Sequence, residues 1–187
     1  MADIAAEQHL LSSQAEVPEY DPSILEVARQ QLRADQNLIG GIIAGSLAAV
    51  AGAAIWAVIT VATGYQIGWM AVGVGLLVAK TIKVVGKGLD KPFAIAGAVL
   101  ALTGCLLGNL FTVCHYVASA NQMGILDVIT HLTPEITIEL MKATFSPMDV
   151  LFYGLAVYEG FKLSTRQLTS ESLVAAIKGP AVQRPVA

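Results

Sequence analysis

A chain of 187 residues with 55% apolar side chains, 13% charged ones and a mean hydropathy of +0.66 has too little interior to hide its apolar surface. A soluble domain is excluded, and lipid must cover the excess. The net charge of −3 lacks the basic surplus that a nucleic-acid partner requires. Cys105 and Cys114 stand about 13 Å apart on opposite faces if their segment is helical, too far for a disulfide. No Cys/His cluster has metal-ligand spacing, so neither a metal nor a cofactor is expected.

Residues 1–20 carry Asp3, Glu7, Glu16 and Glu19 and show no periodicity. They lack the basic start and apolar run of a secretory signal, so targeting is expected from the first membrane helix. Asp21-Pro22 reads as a cap with proline at the first helical position. Ile24, Leu25, Val27, Ala28 and Leu32 follow at helical spacing, with Glu26, Arg29 and Arg33 among them. Residues 1–36 are therefore read as a cytoplasmic segment ending in an amphipathic surface helix.

From Asn37 to Ala79 no charged residue occurs, and only Gly64-Tyr65-Gln66-Ile67-Gly68 breaks the apolar run. A bilayer core of roughly 30 Å takes about 20 helical residues, so this run predicts two crossings, about 38–62 and 67–85, joined by a hairpin. Gly41, Gly45, Ala49 and Ala53 form a stripe of small residues on the first, and Ala71, Gly75 and Ala79 repeat it on the second. The second crossing runs into Lys80, Lys83, Lys87 and Lys91, with Lys80 and Lys83 snorkelling to the headgroups. Pro92 opens a third crossing, about 93–117, with Gly97, Ala101, Gly104 and Gly108. The stretch 120–146 is mixed, and Thr133-Pro134-Glu135 marks one of one or two interfacial helices. Ser146-Pro147-Met148-Asp149 opens a fourth, shorter segment, 147–163, which carries Glu159. The membrane domain is thus read as 37–165 and the cytoplasmic tail as 166–187, with a surface helix after Leu168 and a loose end from Gly179.

With four crossings, ten of the 11 Lys and Arg residues fall on the side of the termini and the 80–91 loop, and only Lys142 lies opposite. The positive-inside rule makes the first side cytoplasmic. Three crossings would move the basic residues after 163 outside, so the charge asymmetry favours the fourth.

Each polar candidate has two readings. A carboxylate in a spanning segment marks a pathway or a partner, which makes Glu159 a candidate intramembrane site; in the structural alternative it lies near the interface and pairs with Lys162 or Arg166. Asn109 and His115 would together line a polar cavity, or serve as interhelical glue and an interfacial side chain respectively. Gly64, Tyr65, Gln66 and Gly68 form either a binding turn or simply the shortest connection, with Tyr65 and Trp69 at headgroup level. Lys80, Lys83, Lys87 and Lys91 would hold anionic lipid or a partner, or only set topology. Gly86-Lys87-Gly88 has no Walker spacing, and no catalytic triad, rhomboid-type serine motif or zinc-protease helix is present, so no enzyme activity is expected.

Trp56-Ala57-Val58-Ile59-Thr60, Thr63-Gly64-Tyr65-Gln66-Ile67-Gly68 and Val72-Gly73-Val74-Gly75 resemble a group of uncharacterised bacterial multi-pass membrane proteins with a TGYQIG hairpin. Gly86-Lys87-Gly88-Leu89-Asp90-Lys91, Gly97-Ala98-Val99-Leu100-Ala101-Leu102 and Tyr158-Glu159-Gly160-Phe161-Lys162 extend the likeness over residues 38–163. Some members add an N-terminal zinc-binding module. This chain has no cysteine before Cys105 to form one. The resemblance implies a membrane location and the hairpin, and no activity.

The expected fold is all-α, a polytopic bundle of about four membrane helices with short amphipathic surface helices. The expected function is a non-enzymatic scaffold or small subunit in the bacterial inner membrane, both termini cytoplasmic. Its partners would be the bilayer and either further copies of itself or another membrane protein, because Gly41, Gly45, Gly75, Gly104 and Gly108 offer more close-packing faces than one bundle was expected to use. The alternative is a small oligomeric channel or transporter with a polar path through Glu159 and Asn109.

Overall fold

A computed structural model describes residues 22–177. Among them eight helices and no strand occur: α1 (Pro22–Ala34), α2 (Leu38–Thr63), α3 (Trp69–Gly86), α4 (Lys91–Ala120), α5 (Ile125–Thr130), α6 (Pro134–Thr144), α7 (Pro147–Leu163) and α8 (Ser170–Ile177). The helices α2, α3 and α4 are long and apolar enough to cross a membrane. The chain is an all-α polytopic membrane protein.

Contacts divide the chain into two units. In one, α1 packs on α8, and Ala28 of α1 is fully buried. The expectations for Asp21, residues 1–20 and the end from Gly179 lie outside the described residues.

The other unit, 36–166, is the helical bundle. In it α3 and α4 form the central pair, and α2 and α7 each pack against both. Helix starts follow local chemistry. Asn37 accepts the Gly40 N–H (2.8 Å) at the start of α2. Ser146 and Asp149 form a capping box on α7, with the Asp149 carboxylate accepting the Ser146 N–H at 2.8 Å. Gly64 ends α2 at φ 69°, a conformation natural to glycine.

The bundle is built small side in. On α2, Gly41, Gly45, Ala49, Gly52 and Ala53 are buried, while Ile39, Ile43, Leu47 and Val58 are exposed toward lipid. Each glycine stripe admits a neighbouring helix. A methyl on Gly75 would meet the Ala156 carbonyl oxygen at 2.8 Å, and one on Gly41 would meet the Gly86 Cα at 3.1 Å. Gly45 faces Ile82, Gly104 faces Val74 and Ala49, and Gly108 faces the Trp56 ring. Gly97 lies against Gly160 and Ser164. This corrects the expectation that one bundle leaves spare close-packing faces. In the diamond arrangement α3 and α4 each pack against the other three long helices, so Gly41, Gly45, Gly75, Gly104 and Gly108 are all used internally.

The α7 helix has 17 residues, about 26 Å, against roughly 30 Å for the hydrocarbon core. Even so, it runs the full height of α3. Phe152 lies against Gly68 at the hairpin, and the Arg166 N–H donates to the Gly88 carbonyl (2.7 Å) beyond the far end of α3. At that end Gln36 accepts the Leu89 N–H (3.0 Å) and donates to Asp90 (2.9 Å), and the Asn37 N–H donates to the Gly86 carbonyl (2.9 Å).

Candidate functional site

At the hairpin end, a polar cavity of about 230 Å³ opens between α2, α4 and the end of α6. Helical spacing places Asn109, Thr112, Val113 and Tyr116 of α4 on one wall, since i, i+3, i+4 and i+7 share a face. Thr60 of α2 and Thr144 of α6 supply further walls, and Gly64 and Gln66 of the hairpin complete the lining. Asn109 is 2% exposed and donates its amide to the Thr144 hydroxyl at 3.3 Å. The Thr144 and Thr112 hydroxyls donate to carbonyls of their own helices, Leu140 (2.9 Å) and Gly108 (2.8 Å), which leaves oxygen lone pairs for the cavity.

Thr60 differs from these two. It is 2% exposed, and its hydroxyl has no hydrogen-bond partner. In the same half of the bundle, the Trp56 indole N–H and the Tyr153 hydroxyl are also buried without partners. The two rings meet edge to face at 6.3 Å. Buried polar atoms normally find partners, so these three groups hold hydrogen-bonding capacity to spare in this half of the bundle.

The sequence-predicted residues separate. Asn109, Gly64 and Gln66 reach the cavity, whereas Tyr65 is exposed and Gly68 packs on Phe152. His115 does not join Asn109; it lines a separate apolar groove of about 520 Å³ with Phe111, Val58 and Ile129. Glu159 has a buried carboxylate oxygen without a partner, just under one turn beyond the contact between Ala156 and Gly75. The expected pairing with Lys162 is not formed. The Lys162 ammonium donates to the Tyr158 hydroxyl instead, at 2.9 Å. Lys80, Lys87 and Lys91 are exposed and Lys83 half-buried, around the α3–α4 connection.

Thr60, Thr112, Thr144, Tyr116, Trp56 and Tyr153 escaped sequence reasoning. In an apolar run a threonine reads as a tolerated helix residue, and only the fold shows that those of three helices converge. No group of three or more His, Cys, Asp or Glu residues able to hold a metal exists among the described residues. No family model, curated protein or solved structure matches the chain.

Proposed function

We propose that this is a multi-pass protein of the bacterial cytoplasmic membrane, a member of the group with the TGYQIG hairpin, acting as a non-enzymatic scaffold or small subunit of a membrane complex. Both termini lie in the cytoplasm on this reading. The packing of α1 on α8 supports that orientation, because ends that meet require an even number of crossings. The full-height run of α7 supplies the fourth, and the basic residues after it then share a side with the 80–91 loop.

The observation that carries the subunit reading is α6. None of its 11 residues is buried, and between it and α4 runs an apolar groove of about 550 Å³ lined by Leu106, Leu110, Ile138, Met141 and Phe145. Because the glycine faces are used inside the bundle, this groove is where a partner's membrane helix would sit. A photo-crosslinking residue at Ile138 should give a discrete protein adduct at native expression, while one at exposed Val50 on α2 should not. Finding only uncrosslinked monomer from both positions would overturn the subunit reading.

A second reading, a small oligomeric channel or transporter, is favoured by the cavity at Asn109 and the partnerless oxygen of Glu159. Within one chain the two are separated by the contact between Ala156 and Gly75, so a continuous path would run between copies. Glu159→Gln should then alter proton or cation flux in proteoliposomes. Equal flux in wild type, variant and empty vesicles excludes it.

A further inference from the structure

We infer that the cavity at the hairpin end is a binding site for a small uncharged solute rich in hydrogen-bonding groups, of the polyol or amide class. The inference goes beyond the subunit reading and does not require transport. Hydroxyls of Thr60, Thr112, Thr144 and Tyr116 and amides of Asn109 and Gln66 supply both donors and acceptors, and no carboxylate, ammonium, guanidinium or imidazole lines the space. With no fixed counter-charge in the lining, an ion would have only neutral oxygens and amides to replace its hydration, so an uncharged solute is the better fit. The nearby buried carboxylate, Asp149, is held in the α7 cap by the Ser146 N–H at 2.8 Å.

Thr60 points to a ligand independently of the cavity's shape. Its hydroxyl lines the space, is 2% exposed and lacks a partner, although a helical threonine ordinarily bonds the carbonyl one turn back. A solute hydroxyl or amide would complete it. The exposed residues among the lining, Gly64, Gln66 and Tyr116, put the mouth beside the hairpin. The left-handed Gly64 turns the chain away there, and nothing crowds its Cα. Deeper in the bundle, one turn before Thr112, Gly108 of α4 packs on the Trp56 ring of α2. The hairpin motif thereby acquires a role beyond connecting two crossings: it forms the rim.

The test uses Thr60→Cys in the full-length protein. Wild type serves as the blank, since Cys105 and Cys114 are both 0% exposed. Uncharged hydroxyethyl methanethiosulfonate should label Thr60→Cys much faster than the trimethylammonium reagent, and glycerol or urea should slow that labelling. A cysteine at exposed Gln167 corrects for any effect of these solutes on the reagent itself. Adding Asn109→Leu should weaken the protection about fivefold, the equivalent of one lost hydrogen bond. If Thr60→Cys does not fold, Thr144→Cys reports from the facing wall. The inference is overturned if the reporter that folds does not react, if charged and neutral reagents react equally, or if neither solute protects, which would leave water as the only occupant.

Discussion

Gly97 and Gly73 are both helical glycines in a membrane bundle, yet their surroundings are opposite. A methyl on Gly97 would run into Gly160 of α7 and Ser164 at its C-cap, whereas at Gly73 and Gly154 nothing lies within 4 Å. Gly97→Ala should therefore destabilise the bundle by about 1–3 kcal/mol through overpacking. Gly73→Ala and Gly154→Ala should be neutral or stabilising by up to about 1 kcal/mol, because alanine restricts the helix less than glycine does. Reversible unfolding in mixed micelles measures all three, and equal shifts would refute the packing assigned to Gly97. A different single-residue effect belongs to Glu135 in the first turn of α6. Its own backbone N–H and the Thr133 hydroxyl hold its carboxyl below the usual 4.5. A lowered carboxyl stabilises the folded state above its ordinary range and loses that effect as pH falls through the lowered value. Amide exchange in the first turn of α6, corrected for intrinsic rates, should rise on acidification over that window. Glu135→Gln should remove the pH dependence.

At the scale of elements, α7 and α6 behave differently although both start with a proline and a capping side chain. The α7 helix buries Tyr153, Ala156 and Gly160 against α3 and α4, while α6 buries nothing. Exchange in the middle of α6 should accordingly be faster than in α7, since few buried contacts mean a low local opening energy. The crossing proposed for α7 has its own test. Cysteines at Met148 and Gln167 should react with an impermeant reagent from opposite sides of the membrane, and reaction from one side would reduce the crossings to three. As a crossing, a helix this short would require local thinning of the bilayer or snorkelling by Lys162. The bond from Lys162 to Tyr158 already holds that ammonium along its own helix.

For the bundle as a whole, the governing contrast is between glycine faces used inside and an exterior that carries open apolar grooves. Small residues line the contacts between helices, so the bundle does not need a second copy to satisfy its glycine stripes. On the subunit reading, association would instead use the groove beside α6 or the lysine-bearing end of the bundle. The mass of the complex purified gently in native nanodiscs, with co-purifying proteins identified, discriminates among the readings. A stoichiometric foreign subunit supports the scaffold reading, and a symmetric homo-oligomer supports the channel reading. A lone monomer would remove both and leave the solute site as the functional feature of the chain.

The all-α membrane character was determined by sequence alone, because a bilayer forces every spanning segment to satisfy its backbone internally and the 37–79 run admits no other solution. Helix starts at Thr133 and Ser146 were equally legible, since capping depends on residues within one turn, whereas the Asn37 cap was not read. What the stripes pack against was not legible. Periodicity shows that Gly75 and Gly97 face a neighbour, and says nothing of whether that neighbour belongs to the same chain. Only the tertiary structure decided this, by setting α7 beside both α3 and α4. It also separated His115 from Asn109 and gathered Thr60, Thr112 and Thr144 around one cavity. A polar site between helices is built from residues far apart in the chain, and no local spacing encodes which of them meet.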